Sequence, residues 1–183
     1  MKQIAIFLAE GFEEIEGLTV VDILRRAGLT IDMVSITGSV KVTGSHGIEI
    51  TADKTISATD FTKLDMIVLP GGMPGTKNLE SCESLMKQVD AFAKEEKYLA
   101  AICAAPSIYG HRGLLSGKRA CCYPGFESHL IGAKVTAAEV SVDGHMITSR
   151  GMGTAIPFAL AIVEAFCGKE RAEELAKSII YKA

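Results

Sequence analysis

The chain has no C-x-x-C pair, no H-x-H or H-E-x-x-H spacing and no G-x-x-x-x-G-K-[ST] loop. A ribbon-type zinc or dithiol site, a zincin-type metal site and P-loop phosphoryl transfer are therefore not expected. Gly113-Leu114-Leu115-Ser116-Gly117-Lys118-Arg119 comes nearest to a P-loop, and its spacing is wrong. A basic surplus is also missing. The 19 Lys and Arg against 22 Asp and Glu leave a net charge of −3, so neither nucleic acid nor an anionic membrane is indicated as a partner. Long apolar runs are absent: Ile4 to Ala9 stops at Glu10, too short for a signal segment or a membrane span. The expected location is the cytoplasm. The five cysteines (Cys82, Cys103, Cys121, Cys122 and Cys167) are odd in number, which argues against a disulfide framework. No metal or other cofactor is expected. Without repeats, low-complexity stretches or linkers, residues 1–183 are expected to form one domain, with 48% hydrophobic and 22% charged residues to build it.

What the chain does contain is strands alternating with helices. Gln3 to Ala9 reads as a central strand, and Ile15, Leu18, Val21, Ile23 and Leu24 mark one stripe of a following helix that ends at Arg25-Arg26-Ala27-Gly28. Thr30 to Thr37 is a second strand, and the right-handed crossover rule makes the pair parallel. Val40 to Ile50 reads as a small hairpin excursion, and Leu64 to Leu69 as a strand running into Pro70-Gly71-Gly72-Met73-Pro74-Gly75. Leu79 to Lys94 reads as one amphipathic helix and Arg119 to Tyr123 as a short strand. Two further strands flank Asp143-Gly144, and helices follow over Ala155 to Phe166 and Lys169 to Tyr181. Cys121 and Cys122 would point to opposite faces of their strand, as packing residues. The expected architecture is α/β, a doubly wound and mostly parallel sheet between helices with a hairpin excursion.

The most informative stretch is Tyr98-Leu99-Ala100-Ala101-Ile102-Cys103-Ala104-Ala105-Pro106. An uncharged strand meets a cysteine, two small residues and a proline suited to the first turn of a helix. Cys103 would stand on a sharp strand-to-helix turn, where helix N–H groups and dipole favour a thiolate. A cysteine ending a buried strand is also commonly a small core residue, and local sequence leaves both readings open. In a doubly wound sheet, ligands bind beyond the carboxyl ends of the strands. Three loops converge on that edge: Glu10 to Glu16, Pro70 to Gly75 and Cys103. A nucleophilic thiol needs a proton partner, and Glu13, Glu14 and Glu16 are the nearest acids by topology. For Glu13 and Glu14 a favourable position at a helix N-terminus is explanation enough. Spacing alone does not select Glu16.

The chain resembles the ThiJ/PfpI superfamily, in particular its DJ-one branch. The resemblance lies in Glu13-Glu14-Ile15-Glu16, Arg25-Arg26-Ala27-Gly28, Val68-Leu69-Pro70-Gly71-Gly72, Ala101-Ile102-Cys103-Ala104-Ala105-Pro106 and Thr148-Ser149-Arg150-Gly151-Met152-Gly153-Thr154, with Phe158 to Ala165 closing it. It implies a flavodoxin-like sandwich that forms homodimers, with Cys103 as an oxidation-sensitive nucleophile. It places Glu16 beside the sulfur as a protonated carboxyl, and the N–H groups of Gly72 and Ala104, next to Gly71, as an oxyanion pocket. Ala104 stands where protease-like members carry histidine, which argues against peptidase chemistry. Tyr123 and His46 stand where the human member of the branch carries histidine and arginine, so the polar lining differs.

The implied activity is cofactor-independent and cysteine-dependent, on reactive dicarbonyls (methylglyoxal to lactate, as in a glyoxalase III) or on their glycated adducts. The implied partners are that small aldehyde or glycated substrate and a second copy of the chain. The alternative from another class is an oxidative-stress sensor or chaperone that uses an oxidisable Cys103 without turnover.

Overall fold

The computed structural model describes residues 2–181. Strand β1 (Gln3–Leu8) is buried from its second residue onward. Its side chains alternate between two cores: Ile4, Ile6 and Leu8 face one, Ala5, Phe7 and Ala9 the other. Such a strand must be covered on both faces, and helices supply the cover. Helix α1 (Glu14–Arg26) follows, with acids in its first turn and Arg25 and Arg26 in its last, and β2 (Thr30–Ser35) pairs parallel to β1. The chain then makes an antiparallel hairpin, β3 (Lys41–Thr43) and β4 (Glu49–Thr51), and a two-residue edge strand, β5 (Lys54–Thr55).

After two short 3-10 turns the chain returns through β6 (Met66–Leu69) on the other side of β1. Helices α2 (Gly75–Glu80) and α3 (Glu83–Lys94) lead to β7 (Tyr98–Ile102) and α4 (Pro106–His111). Two-residue strands β8 (Arg119–Ala120) and β9 (Lys134–Val135) pair apart from the main sheet. The antiparallel hairpin of β10 (Val140–Asp143) and β11 (Met146–Ser149) closes one edge, and α5 (Ala155–Cys167) and α6 (Lys169–Ser178) complete the chain.

The seven-stranded sheet runs β10-β11-β7-β6-β1-β2-β5, with every neighbouring pair parallel except β10 and β11. Val20, Leu24, Phe158 and Ile162 of α1 and α5 pack on one face, and Leu85, Val89, Phe92 and Ile108 of α3 and α4 on the other. This is the expected mostly parallel α/β sandwich. Strand order reverses between β1 and β6, which opens a crevice at their carboxyl ends. Among the described residues no helix is long and apolar enough to cross a membrane.

Several boundaries differ from the sequence reading. The helix expected from Leu79 to Lys94 is two helices, because Cys82 is extended (φ −80°, ψ 91°) and restarts the chain as the N-cap of α3. The strand expected through Tyr123 stops at Ala120. Cys121 is buried beyond it, with its N–H donating to Thr148 Oγ1 at 3.0 Å and its Sγ–H to the Thr148 carbonyl at 3.2 Å. The last helix ends at Ser178 rather than Tyr181.

Candidate active site

β1, β6 and β7 are adjacent, so their carboxyl ends bring three turns together. Cys103 ends β7 with φ +66°, a left-handed conformation that costs a non-glycine residue roughly 1–3 kcal/mol. Its neighbours hold it there. The Cys103 N–H donates to the Ser149 carbonyl at 3.0 Å, and its carbonyl accepts from the Tyr123 N–H at 2.8 Å. Pro106 opens α4 immediately afterwards. The cysteine is half-buried, as a reactive thiol on a tight turn must be to meet both protein donors and a ligand.

Glu16 lies in the first turn of α1 and is 1% exposed. Its Oε2 accepts from the Gly71 N–H at 2.9 Å, and its carboxyl is hydrogen-bonded with the Cys103 thiol. The two groups leave no room between them and the β6 turn. A Cβ on Gly71 would lie 2.6 Å from the Cys103 Cβ and 2.8 Å from Glu16 Oε2, so only glycine fits. Burial raises the Glu16 carboxyl to about 7 and the Glu13 charge adds to this, against the hydrogen bonds from Gly71 and Cys103. Burial and then the Glu16 charge push the Cys103 thiol up to about 12, while the N–H groups of Ala104 and Gly72 act the other way by donating to the sulfur. The pair thus holds one negative charge above neutrality and strongly resists a second. This differs from a thiol simply depressed by a helix N-terminus. Here the sulfur becomes anionic only as the proton moves onto Glu16, and the two groups titrate as a unit.

The Gly72 and Ala104 N–H groups are the donors available to an oxyanion formed beside the sulfur. Gly72 is clamped by the β1–α1 loop: the Glu13 N–H donates to the Gly71 carbonyl at 2.9 Å, and the Thr76 N–H to the Gly72 carbonyl at 2.9 Å.

A cavity of about 340 Å³ opens over the thiol, lined in part by Gly72, Cys103, Ala104, Tyr123, His46 and Glu16. Six of the seven residues singled out from the sequence therefore share one space, and the seventh, Gly71, packs on Cys103 from below. The Tyr123 ring stands half exposed against Gly151. Sequence reasoning missed three lining residues, Met73, Phe126 and Met152, and set aside a fourth, Glu13, as an acid merely favoured at a helix N-terminus. Met73 and Met152 lie inside glycine turns it had marked, so a hydrophobic residue within such a turn was the available signal.

Glu14 requires a correction. It is not simply an acid favoured by the helix dipole, for its side chain is only 5% exposed. Its Oε1 accepts from the His46 N–H at 2.8 Å, and its Oε2 lies 3.0 Å from His46 Nδ1. Burial would raise its carboxyl, but the His46 imidazole and the N–H groups of His46 and Ile48 outweigh that and hold it at about 2. The same contact raises the His46 imidazole above its ordinary value, with the Glu13 charge adding to it. Glu13, Glu14 and His46 are the set among the described residues whose ligand-type atoms converge, within 4.8 Å. The hydrogen bonds among them, with the Ser45 hydroxyl donating to Glu13 Oε2 at 3.2 Å, already account for that arrangement.

Glu14→Gln is expected to cost on the order of 2 kcal/mol at neutral pH, because a charged acceptor buried under the hairpin is lost. A carboxyl held below its ordinary range stabilises the fold above about pH 4.5, and that contribution fades as pH falls through about 2. Urea denaturation of both proteins between pH 7 and pH 3 should show the deficit narrowing on acidification. A constant deficit would show that charge plays no part.

Fold and site together describe an α/β protein with a half-buried cysteine on a strand-to-helix turn and a buried carboxyl against it. The chain belongs to the DJ-1/PfpI family, which matches residues 2–165. It is similar to Protein DJ-1 homolog B of Arabidopsis thaliana, at 39% identity over 99% of this chain and 42% of that one. The chain thus spans less than half the length of that relative. It is similar along nearly its whole length to Protein dj-1beta of Drosophila melanogaster, at 35% identity over 98% of this chain and 97% of that one. Among solved structures, oxidized DJ-1 of Toxoplasma gondii superposes with a TM-score of 0.95 at 33% identity, covering 100% of both chains.

Proposed function

We propose that the protein converts small reactive dicarbonyls, with methylglyoxal as the type substrate, to 2-hydroxy acids without a cofactor. The observation that carries this reading is the placement of the Cys103 thiol against the buried Glu16 carboxyl, with the Gly72 and Ala104 N–H groups beside the sulfur and a cavity opening over it. With the proton on Glu16, the sulfur attacks the aldehyde carbon, forming a C–S bond. The carbonyl oxygen takes the developing charge, held by the Gly72 and Ala104 N–H groups, and is protonated from Glu16 to give a hemithioacetal. Glu16, now a carboxylate, removes the proton from that carbon and returns it to the neighbouring carbon, while the hydroxyl proton on the first carbon passes to the oxygen on the second, leaving a thioester of lactate. Water cleaves the thioester, releasing lactate and restoring the thiol. Overall, one water is consumed and no electrons leave the system.

Glu16 is the group placed to move the proton, because its carboxyl is hydrogen-bonded with the Cys103 thiol, and His111, His129 and His145 are not among the cavity-lining residues. The cavity volume admits a ligand of a few heavy atoms with room to spare for a larger adduct. The same addition to a glycated amine or thiol would count as deglycation.

The test is lactate formation from methylglyoxal by the wild-type protein without added thiol. Many equivalents of lactate per chain are expected; one equivalent of methylglyoxal taken up without lactate would overturn the proposal.

A second reading is a redox sensor. It is favoured by the N–H donors around Cys103, which would hold a sulfinate as they hold a thiolate, and by the oxidized form of the Toxoplasma relative. Two equivalents of peroxide would oxidise the sulfur to that level and release two waters. Under limiting peroxide, Cys103 should oxidise ahead of Cys82 and Cys167 by peptide mass spectrometry. Equal rates at the three would remove this reading.

A further inference from the structure

The titratable groups lining the cavity are Glu13, Glu16, Cys103, His46 and Tyr123, with neither lysine nor arginine lining it among the described residues. Among the described residues His46 is the one side chain there that can carry positive charge, and any such charge is already matched. Its Nδ1 lies 3.0 Å from Glu14 Oε2 and 3.5 Å from Glu13 Oε2, one imidazole against two carboxylates. The Glu16–Cys103 pair adds a further negative charge deeper in the cavity. Arg150 is felt at Cys121 and Cys122 but is not among the groups acting on Cys103 or Glu16. Glu13 is the uncompensated member. Its side chain is only 13% exposed, its Oε2 accepts from the Ser45 hydroxyl, and its charge reaches Glu16. In so shielded a position a charge acts over several ångströms with little screening.

We infer that the cavity is a charge filter in which Glu13 excludes anionic substrates, admitting uncharged dicarbonyls and cationic adducts while rejecting carboxylate- or phosphate-bearing carbonyl compounds. The inference deepens the proposed function and rests on it only in taking Cys103 as the reacting atom. It also gives that chemistry a direction. A neutral substrate enters, a carboxylate is formed, and the field that repels anionic substrates expels the product.

The filter can be measured without turnover by alkylating the thiol with iodoacetamide, which is neutral, and iodoacetate, which is anionic. In both reactions the sulfur forms a bond to carbon and iodide leaves. Peptide mass spectrometry reads the rate at Cys103, with the exposed Cys167 as an internal reference for intrinsic reagent reactivity. At low salt the neutral-over-anionic preference at Cys103 is expected to exceed that at Cys167 by about tenfold or more. It should persist in large part at about 1 M salt, because a shielded charge is poorly screened, and Glu13→Gln should bring it close to the Cys167 value.

Equal preferences at the two cysteines, or failure of both reagents to reach Cys103, would overturn the filter. A preference that survives Glu13→Gln in full would overturn the assignment to Glu13. Should that variant not fold, the salt series on the wild-type protein decides: a preference that disappears at about 1 M salt would place the repelling charge on the open surface and overturn the filter. Absence of lactate from methylglyoxal would sink the proposed reaction while leaving the alkylation result intact, so the two failures are separable.

Discussion

Glu16→Gln is expected to abolish lactate formation and, at neutral pH and above, to make the protein more stable. Both effects come from one buried group. In the proposed reaction the carboxyl supplies a proton to the oxyanion and carries another between adjacent carbons. An amide can do neither, so turnover should fall by about 10³-fold or more. Cys103→Ala, which removes the attacking atom, should be equally inactive.

The stability effect has the opposite sign. The folded protein raises the Glu16 carboxyl from 4.5 to about 7, so the folded state keeps a proton that the unfolded chain gives up. Its contribution is most favourable below about pH 4.5 and is lost as pH rises through about 7. Above that, the ionised buried carboxyl costs on the order of 3 kcal/mol. Glutamine carries no such cost, and its oxygen can still accept from the Gly71 N–H. The melting temperature should therefore rise by about 10 °C at pH 8 and by much less at pH 5. Thermal denaturation of wild type and variant at the two pH values checks this. A variant less stable than wild type at pH 8 would show that the carboxylate is stabilising where it lies.

Gly72→Ala is expected to damage fold and chemistry together. Gly72 has φ +90°, where a side chain is strained in any surroundings. Its surroundings are also closed: an added Cβ would meet the Glu13 nitrogen, lie 2.6 Å from the Gly11 carbonyl oxygen and 2.7 Å from the Phe12 carbonyl carbon. These are backbone atoms, so the β1–α1 loop must move as a unit. A loss of about 3 kcal/mol or more follows, or roughly 10 °C in melting temperature. The same displacement carries the Gly72 N–H away from the sulfur, and losing one such donor costs about 10²–10³ in rate. Calorimetry combined with the Cys103 alkylation rate checks both halves. A variant that melts with wild type would mean that the loop yields more readily than its packing implies.

The parts of the site carried by local sequence were readable in advance. The β1 and β7 runs identify buried strands because both faces must be apolar, and the proline after Cys103-Ala104-Ala105 marks the turn. Glu16 was a different matter. Glu13, Glu14 and Glu16 fall within one turn, and what separates them is the Gly71 N–H arriving from a strand fifty-five residues further on. Resemblance selected Glu16; periodicity had no means of doing so. The burial of Glu14 was illegible for the same reason, since its donors lie at His46 and Ile48 on the hairpin. The break between α2 and α3 escaped notice because the apolar spacing from Leu79 to Met86 continues smoothly across it. Two-residue strands such as β5, β8 and β9 contain too few residues to display any period.

The β3–β4 hairpin has a broader consequence. It touches the reaction centre only through its tip, which is pinned to the β1–α1 region by Glu14 and by two backbone bonds, from the Gly11 N–H to the Thr43 carbonyl and from the Ser45 N–H to the Phe12 carbonyl, both at 2.8 Å. The reacting groups stand at the carboxyl edge of the main sheet, on the turn after β7 and the first turn of α1, whereas part of the rim that a substrate meets is borrowed from an appendage outside it. Such a division lets appetite change without touching competence. A drift of residues 44–48, or a graft of another tip onto the same fastening, would retune what is admitted while the thiol and its carboxyl stay as they are. Selection and protein engineering alike have there a dial that is mechanically separate from the engine.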